Sequence, residues 1–285
     1  MIKKVIKVTG VLLLVGFSFF YTEKVTKIIK EKDPIMIKLN EVKNNSYIQT
    51  IKPIINSDEY ITGINGCEVD IDESYNKMKT LGEFKNELIV MKEVKNNDNL
   101  KNKYIVGGNK LEKNVSIIFL LKDDINDELL KFLTYKRIIT NFFVDQKYLE
   151  NNTVTVKFLS ENNNIYYLGN NLEYEDEYMI YSKNLISMNS NNESNFCIVE
   201  DKNDEVLKLC SEYDMSTIKT KIFKDNIFNN VKENLNNGSI IAIDSDDIDK
   251  IKVSINYILS KGYNIVSLDE LLNQSNTCNK YIDNE

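Results

Sequence analysis

Gly238-Ser239-Ile240-Ile241-Ala242-Ile243-Asp244, followed after one helix-length interval by Lys261-Gly262-Tyr263-Asn264-Ile265-Val266-Ser267-Leu268-Asp269-Glu270-Leu271-Leu272, decides how this chain is read. A continuous apolar run bounded by turn residues is the pattern of a strand buried on both faces, as in a parallel sheet covered by helices. The interval 247–261 carries apolar residues at helical spacing and ends at Gly262, which suits a left-handed C-cap. Asp269 is expected to cap the short helix of Glu270 to Leu272. Upstream the same unit recurs. Apolar strands begin near Ser116, Thr140, Asn164, Asn195, Thr217, Ser239 and Asn264, and helix-period segments such as 127–137 and 204–212 lie between most of them. Seven strand-helix units in a row point to a parallel β/α barrel or a doubly wound sheet.

Composition narrows the chemistry. The 285 residues contain no histidine, so Ser-His-Asp catalysis, Cys-His catalysis and histidine-based zinc sites are excluded. A net charge of -7 without a basic stripe argues against nucleic-acid binding. No phosphate-binding glycine loop, dinucleotide fingerprint or nucleophile elbow is present. Asn, Ile and Lys are abundant along the whole chain, which reads as a compositional bias, and single Asn residues are given little weight. Cys67, Cys197, Cys210 and Cys278 lack metal-ligand spacing; they could pair in three ways, but isolated small core or surface residues are the favoured reading.

The N-terminus has the pattern of an uncleaved membrane anchor. Lys3, Lys4 and Lys7 precede the uncharged stretch Val8 to Thr22, and Glu23, Lys24 and Lys27 follow it. The basic flank places the N-terminus in the cytoplasm and the remainder outside. Residues 24–33 and 35–42 are expected to form a helical stalk, 60–64 and 88–91 short strands, and 74–81 a short helix. The organisation expected is an anchor (1–22), a stalk with a small mixed α+β region (23–110), the β/α domain (111–275) and a tail (276–285).

The ending quoted above resembles the close of the polysaccharide deacetylase (NodB homology) domain, where a strand like GSIILLH precedes a helix and a KGYxFVTLxELL segment. Val115 to Phe119, Leu129 to Leu133 and Thr140 to Val144 are similar to that family's VALTFDDG, LLDLL and ATFFV order. The resemblance implies a distorted seven-stranded β/α barrel. In the family an Asp and two His hold a divalent metal, a second Asp is the base, a further His the acid, and an Arg orients the base. The resemblance places Leu120 and Leu121 where the two aspartates stand, Leu168 and Leu172 at the two His, Cys197 at the Arg and Asp244 at the late His. It therefore implies a pseudoenzyme with no catalytic residue, no metal and no cofactor, binding cell-wall polysaccharide or an envelope protein.

What remains for a cleft is Asp123, Asp124, Tyr167, Asn170, Asp244 and Asp246 at the C-terminal ends of strands, the functional face of such barrels. Clustered carboxylates suit hard cations, so a rebuilt carboxylate metal site is one alternative, requiring Asp123, Asp124 and Asp244 to converge. The plainer reading is that Asp residues after strands cap the next helix. Tyr166, Tyr167, Tyr174, Tyr178 and Tyr181 could line a saccharide groove, but packing is the favoured role. A third alternative is an interaction scaffold.

Overall fold

A computed structural model describes residues 2–96, 100–275 and 278; the side chains of residues 2–15 and 19 lie outside the described set. Helices α1 (Ile2–Glu31) and α2 (Pro34–Asn45) lead to β1 (Ile54–Asn56), β2 (Glu59–Ile61), β3 (Gly66–Val69), α3 (Ile71–Lys79), β4 (Met91–Val94) and β5 (Tyr104–Gly107). Regular alternation follows through β6 (Asn114–Leu121), α4 (Asp127–Lys136), β7 (Asn141–Val144), α5 (Gln146–Asn151), α6 (Thr153–Ser160), β8 (Asn164–Tyr167) and α7 (Asp176–Asn189). The chain ends with β9 (Phe196–Val199), α8 (Asp204–Glu212), β10 (Ser216–Lys219), β11 (Ile222–Phe223), α9 (Ile227–Asn234), β12 (Ile240–Ile243), α10 (Ile248–Ser260), β13 (Asn264–Ile265) and α11 (Leu268–Leu272).

Two compact units result, one from 1–50, 65–95 and the segment from 275, the other from 51–64 and 96–274. In the first, Asp33 accepts a hydrogen bond from the Ile35 amide and Pro34 opens α2, a combination that sets the helix start. Ile35, Met36 and Leu39 of α2 pack with Val69, Tyr75, Met78 and Met91 in a small core. The backbone of the stretch expected to anchor the chain is helical, but most of its apolar side chains lie outside the described residues. Among the described residues no helix is long and apolar enough to cross a membrane.

In the second unit a strand stands at each of the seven expected places. They are hydrogen-bonded as two parallel arrays: β11-β12-β6-β7-β8, with β13 also on β6, and β9-β10-β5-β2, which carries β1 antiparallel at its edge. The expected boundary at residue 111 therefore differs from the one observed. An unpaired β10 edge would leave its amides and carbonyls without partners; β5 pairs with it, and Tyr60 and Ile105 join the core enclosed by the strands.

Between β8 and β9 no backbone ladder forms among the described residues, so hydrogen bonding alone does not close the expected seven-strand cylinder. Side chains stand in for it. Asn192 accepts from the Ile165 amide at 2.9 Å and donates to its carbonyl at 2.8 Å, while Ser194 Oγ accepts from the Tyr167 amide at 2.9 Å. The Tyr174 hydroxyl accepts from the Ile198 amide at 2.9 Å and donates to the Tyr167 carbonyl at 3.2 Å.

Strand alternation produces two cores. On β6, Val115, Ile117, Phe119 and Leu121 face the helical layer, whereas Ile118 and Leu120 belong to the cluster enclosed by strands, with Phe143, Tyr166, Leu168, Ile198, Ile218 and Ala242. Asn141 is fully buried yet satisfied: Nδ2 donates to Ser116 Oγ and the Ile117 carbonyl, and Oδ1 accepts from the Leu268 amide.

Three local expectations are corrected. The cysteines are not isolated: Cys197 pairs with Cys210 and Cys67 with Cys278. The Cα atoms of Cys197 on β9 and Cys210 on α8 lie 6.4 Å apart, and those of Cys67 and Cys278 5.6 Å apart, proximities that sequence spacing does not reveal. Helix α11 is capped by Ser267, not Asp269, whose carboxylate instead accepts from the Tyr166 hydroxyl at 2.7 Å and from Asn164 at 3.0 Å. Asp145 and Asp247 do cap α5 and α10, but Asn126 and Asn203 cap α4 and α8.

Candidate functional site

β6 and β12 are parallel neighbours, with Ile243 opposite Phe119. Beyond that pair, Lys122 and Asp244 join across the strand ends, Nζ to Oδ2, at 2.8 Å, both partly buried. They rim a cleft of about 600 Å³ whose polar wall is Lys122, Asp123, Asp124, Asp244, Ser245 and Asp246 and whose apolar wall includes Phe119, Phe142, Ile243 and Ile248. Four of the six residues expected in a cleft, Asp123, Asp124, Asp244 and Asp246, are thus brought together.

Tyr167 and Asn170 are not in it. Tyr167 is fully buried in the helical-layer core, its ring edge-on to Tyr174 and its hydroxyl donating to Gln146 Oε1 at 2.7 Å. Burial pushes its phenol up to about 12. Asn170 is exposed in the turn after β8, its amide bonded to the Glu173 carbonyl. Tyr166 and Tyr174 are also buried and hydrogen-bonded, which is the packing role.

Three of the positions where the resemblance expects lost site residues belong to one apolar cluster. Leu120, Leu168 and Leu172 pack in the cluster enclosed by the strands, Leu168 fully buried. Leu172 reaches it from a backbone φ of +74°, in a turn where Gly169 and Asn171 are also left-handed; a leucine adopts that conformation only when its surroundings impose it. Those surroundings are specific. The Asn171 amide donates to Asp145 Oδ2 at 2.8 Å and the Gln146 amide to the Gly169 carbonyl at 3.0 Å.

Hydrocarbon offers no lone pair, so these three side chains do not fit a divalent cation. Leu121 points to the helical layer, and Cys197 is held in its disulfide. Asp244 is paired with Lys122, and among the described residues no three His, Cys, Asp or Glu gather as a metal site requires. The arrangement can present carboxylates, hydroxyls and an ammonium to a ligand. It offers no identifiable base and acid about a metal-bound water.

Two residues of the region escaped the sequence reading. Lys122 shares the parity of Leu120, a signal that was available. Tyr148 is buried beneath Asp124, and nothing in its helical spacing separates it from an ordinary core residue.

Comparisons with known proteins bear on the fold. No family model and no curated protein matches the sequence. Among solved structures, a wild-type family 4 carbohydrate esterase pseudoenzyme from Bacillus anthracis is similar at a TM-score of 0.59 and 18% identity, covering 86% of this chain and 97% of that one. A mutant of it, described as having restored enzymatic activity, matches with a TM-score of 0.59 at 19% identity, covering 85% and 99%. A peptidoglycan N-acetylglucosamine deacetylase is similar over 61% of this chain and 94% of its own, with a TM-score of 0.52 and 19% identity. The fold is that of the family 4 carbohydrate esterases, as the sequence resemblance implied.

Proposed function

We propose that this chain is a catalytically silent, deacetylase-like protein of the cell envelope that binds glycan at the strand-end cleft. The observation that carries the reading is that Leu120, Leu168 and Leu172 all belong to an apolar cluster while Asp244 is held by Lys122. These replacements remove the whole set of metal, base and acid on which metal-assisted hydrolysis depends. The likeness in fold to a family 4 carbohydrate esterase pseudoenzyme is compatible with it.

An anchor at 1–22 with the rest outside the cytoplasm completes the proposal, supported by the basic flank and uncharged stretch and by two disulfides, which persist in oxidising compartments. The test uses the full chain in detergent micelles, loaded with zinc or cobalt and given N-acetylated chitooligosaccharides or peptidoglycan. No acetate release above background is expected, together with co-sedimentation with peptidoglycan. Metal-dependent acetate release overturns the silent reading; absence of glycan binding, with capture of an envelope protein on cross-linking, overturns the glycan in favour of a protein scaffold.

A further inference from the structure

β8 ends at Tyr167, and the chain turns through Leu168-Gly169-Asn170-Asn171-Leu172-Glu173 before α7. Gly169 at φ +77°, Asn171 at +51° and Leu172 at +74° are all left-handed. Glycine takes that backbone freely and asparagine tolerates it, but a leucine Cβ crowds the following carbonyl, a penalty worth about tenfold in population. A bulky side chain held there is strained, and such strain persists only where neighbouring contacts over-determine it.

The contacts that hold it centre on Asp145, between β7 and α5. One carboxylate oxygen caps α5 by accepting from the Lys147 amide at 3.0 Å, and the other accepts from the Asn171 amide at 2.8 Å. The Gln146 amide donates to the Gly169 carbonyl at 3.0 Å, and Asn170 and Glu173 exchange backbone bonds at 2.7 and 3.1 Å. What the strained backbone gains is the position of one side chain: Leu172, partly buried, packs against the apolar cluster enclosed by the strands. Reversing the sign of φ swings a side chain to the other side of its backbone, so relaxing the turn withdraws the leucine and uncovers the cluster. The turn follows the C-terminal end of β8, which runs parallel to β7 and β6, and the cleft lies at that same end of β6.

We propose that turn 169–172 is a two-state lid. In the strained state Asp145 keeps Leu172 sealed onto the strand-enclosed cluster; in the relaxed state the cluster is open to the apolar face of a bound sugar. The glycan as ligand rests on the reading given under Proposed function; the two states of the turn do not. Where the binding-competent state is the minor one, apparent affinity falls by its fraction, so this lid weakens glycan binding until it opens.

Methyl relaxation dispersion at Leu172, on the full chain in detergent micelles without ligand, reads the two states on the μs–ms scale. A minor state is expected in the wild type. It should rise several-fold in Asp145→Asn, whose amide puts a donor where one of the two carboxylate acceptors stood. Asn126→Ala removes a cap of the same kind from α4 and should leave Leu172 unchanged, which separates the lid from general loosening. Leu172→Gly accepts the left-handed backbone and removes the seal, so N-acetylchitotetraose is expected to bind it about tenfold more tightly by calorimetry. Asp145→Asn should tighten the same binding in proportion to its gain in the minor state. Absence of exchange at Leu172 in both the wild type and Asp145→Asn overturns the lid, as does an equal response to Asn126→Ala. Exchange without tighter tetramer binding by either Leu172→Gly or Asp145→Asn overturns the gating of glycan. If no form binds the tetramer, the glycan reading fails, while the dispersion, which uses no ligand, still decides the lid.

Discussion

At position 168 a leucine fills space, fully buried in the apolar cluster to which Leu120 and Leu172 also belong, where the family resemblance puts a metal-binding histidine. Leu168→His removes apolar packing and buries an imidazole without a partner, so a loss of about 2–4 kcal/mol is expected in denaturant unfolding. Zinc should not recover the loss, because among the described residues no group of metal-ligating side chains gathers to complete a site. The buried tyrosines predict an alkaline limit. Burial raises the phenols of Tyr60 and Tyr167 to about 12, and raises those of Tyr166, where the Asp269 carboxylate adds to it, and Tyr174 as well. The folded chain holds these protons more tightly than the unfolded chain, whose phenols ionise near ~10. Their contribution is complete below that pH and is lost as pH rises through 12. Phenolate absorbance should therefore show a late-titrating group of tyrosines, released together with loss of the folded circular dichroism signal. The asparagines discounted as compositional bias prove individually placed: Asn126 and Asn203 cap helices, Asn141 joins β6 to α11, and Asn192 stands in for a missing ladder. A side chain's hydrogen-bond partner is set by the fold around it, which is why composition hid them.

Among the elements, the strands and most helices were legible because their signal is local: continuous apolar runs for β6, β7, β8, β9 and β12, and period-3.6 segments for α4, α8 and α10. Their pairing was not legible, since which edges meet depends on residues far apart in sequence. The β8–β9 seam follows from that. Tyr174→Phe is expected to cost about 1–3 kcal/mol, because the Ile198 amide loses its acceptor in a buried site, and hydrogen exchange should quicken first at Ile198. Two glycines predict opposite tolerances. At Gly262 a methyl group meets nothing within 4 Å, so alanine pays only for the left-handed backbone at φ +75°, about 1 kcal/mol. At Gly238, φ +80°, an added Cβ would sit 2.2 Å from the Gly108 carbonyl oxygen, so Gly238→Ala must displace the start of β12 and should lower Tm far more than Gly262→Ala.

For the whole molecule, the first unit depends on closing a long loop. Cys67 and Cys278 are 211 residues apart and both belong to its small core. On a chain-entropy estimate the bridge contributes up to ~5 kcal/mol, against ~3 for the short Cys197–Cys210 loop. Cys67→Ala should therefore unfold the first unit at lower denaturant while leaving the β/α unit's transition in place, a difference that limited proteolysis can read. The division near residue 111 missed 51–64 and 96–110 because nothing in Tyr60 or Ile105 announces which strand edge will accept them. The candidate site divides in the same way. Asp123, Asp124, Asp244 and Asp246 were found by their place after strands, but the Lys122–Asp244 pair exists only through a contact across the strand ends. By itself the sequence determined the β/α repeat, its strand positions and the absence of histidine chemistry, all carried by residue type and local period. Only the tertiary structure decided the disulfide pairing, the split into two arrays and the gathering of the three leucines into one apolar cluster, because each depends on segments that short-range physics leaves independent.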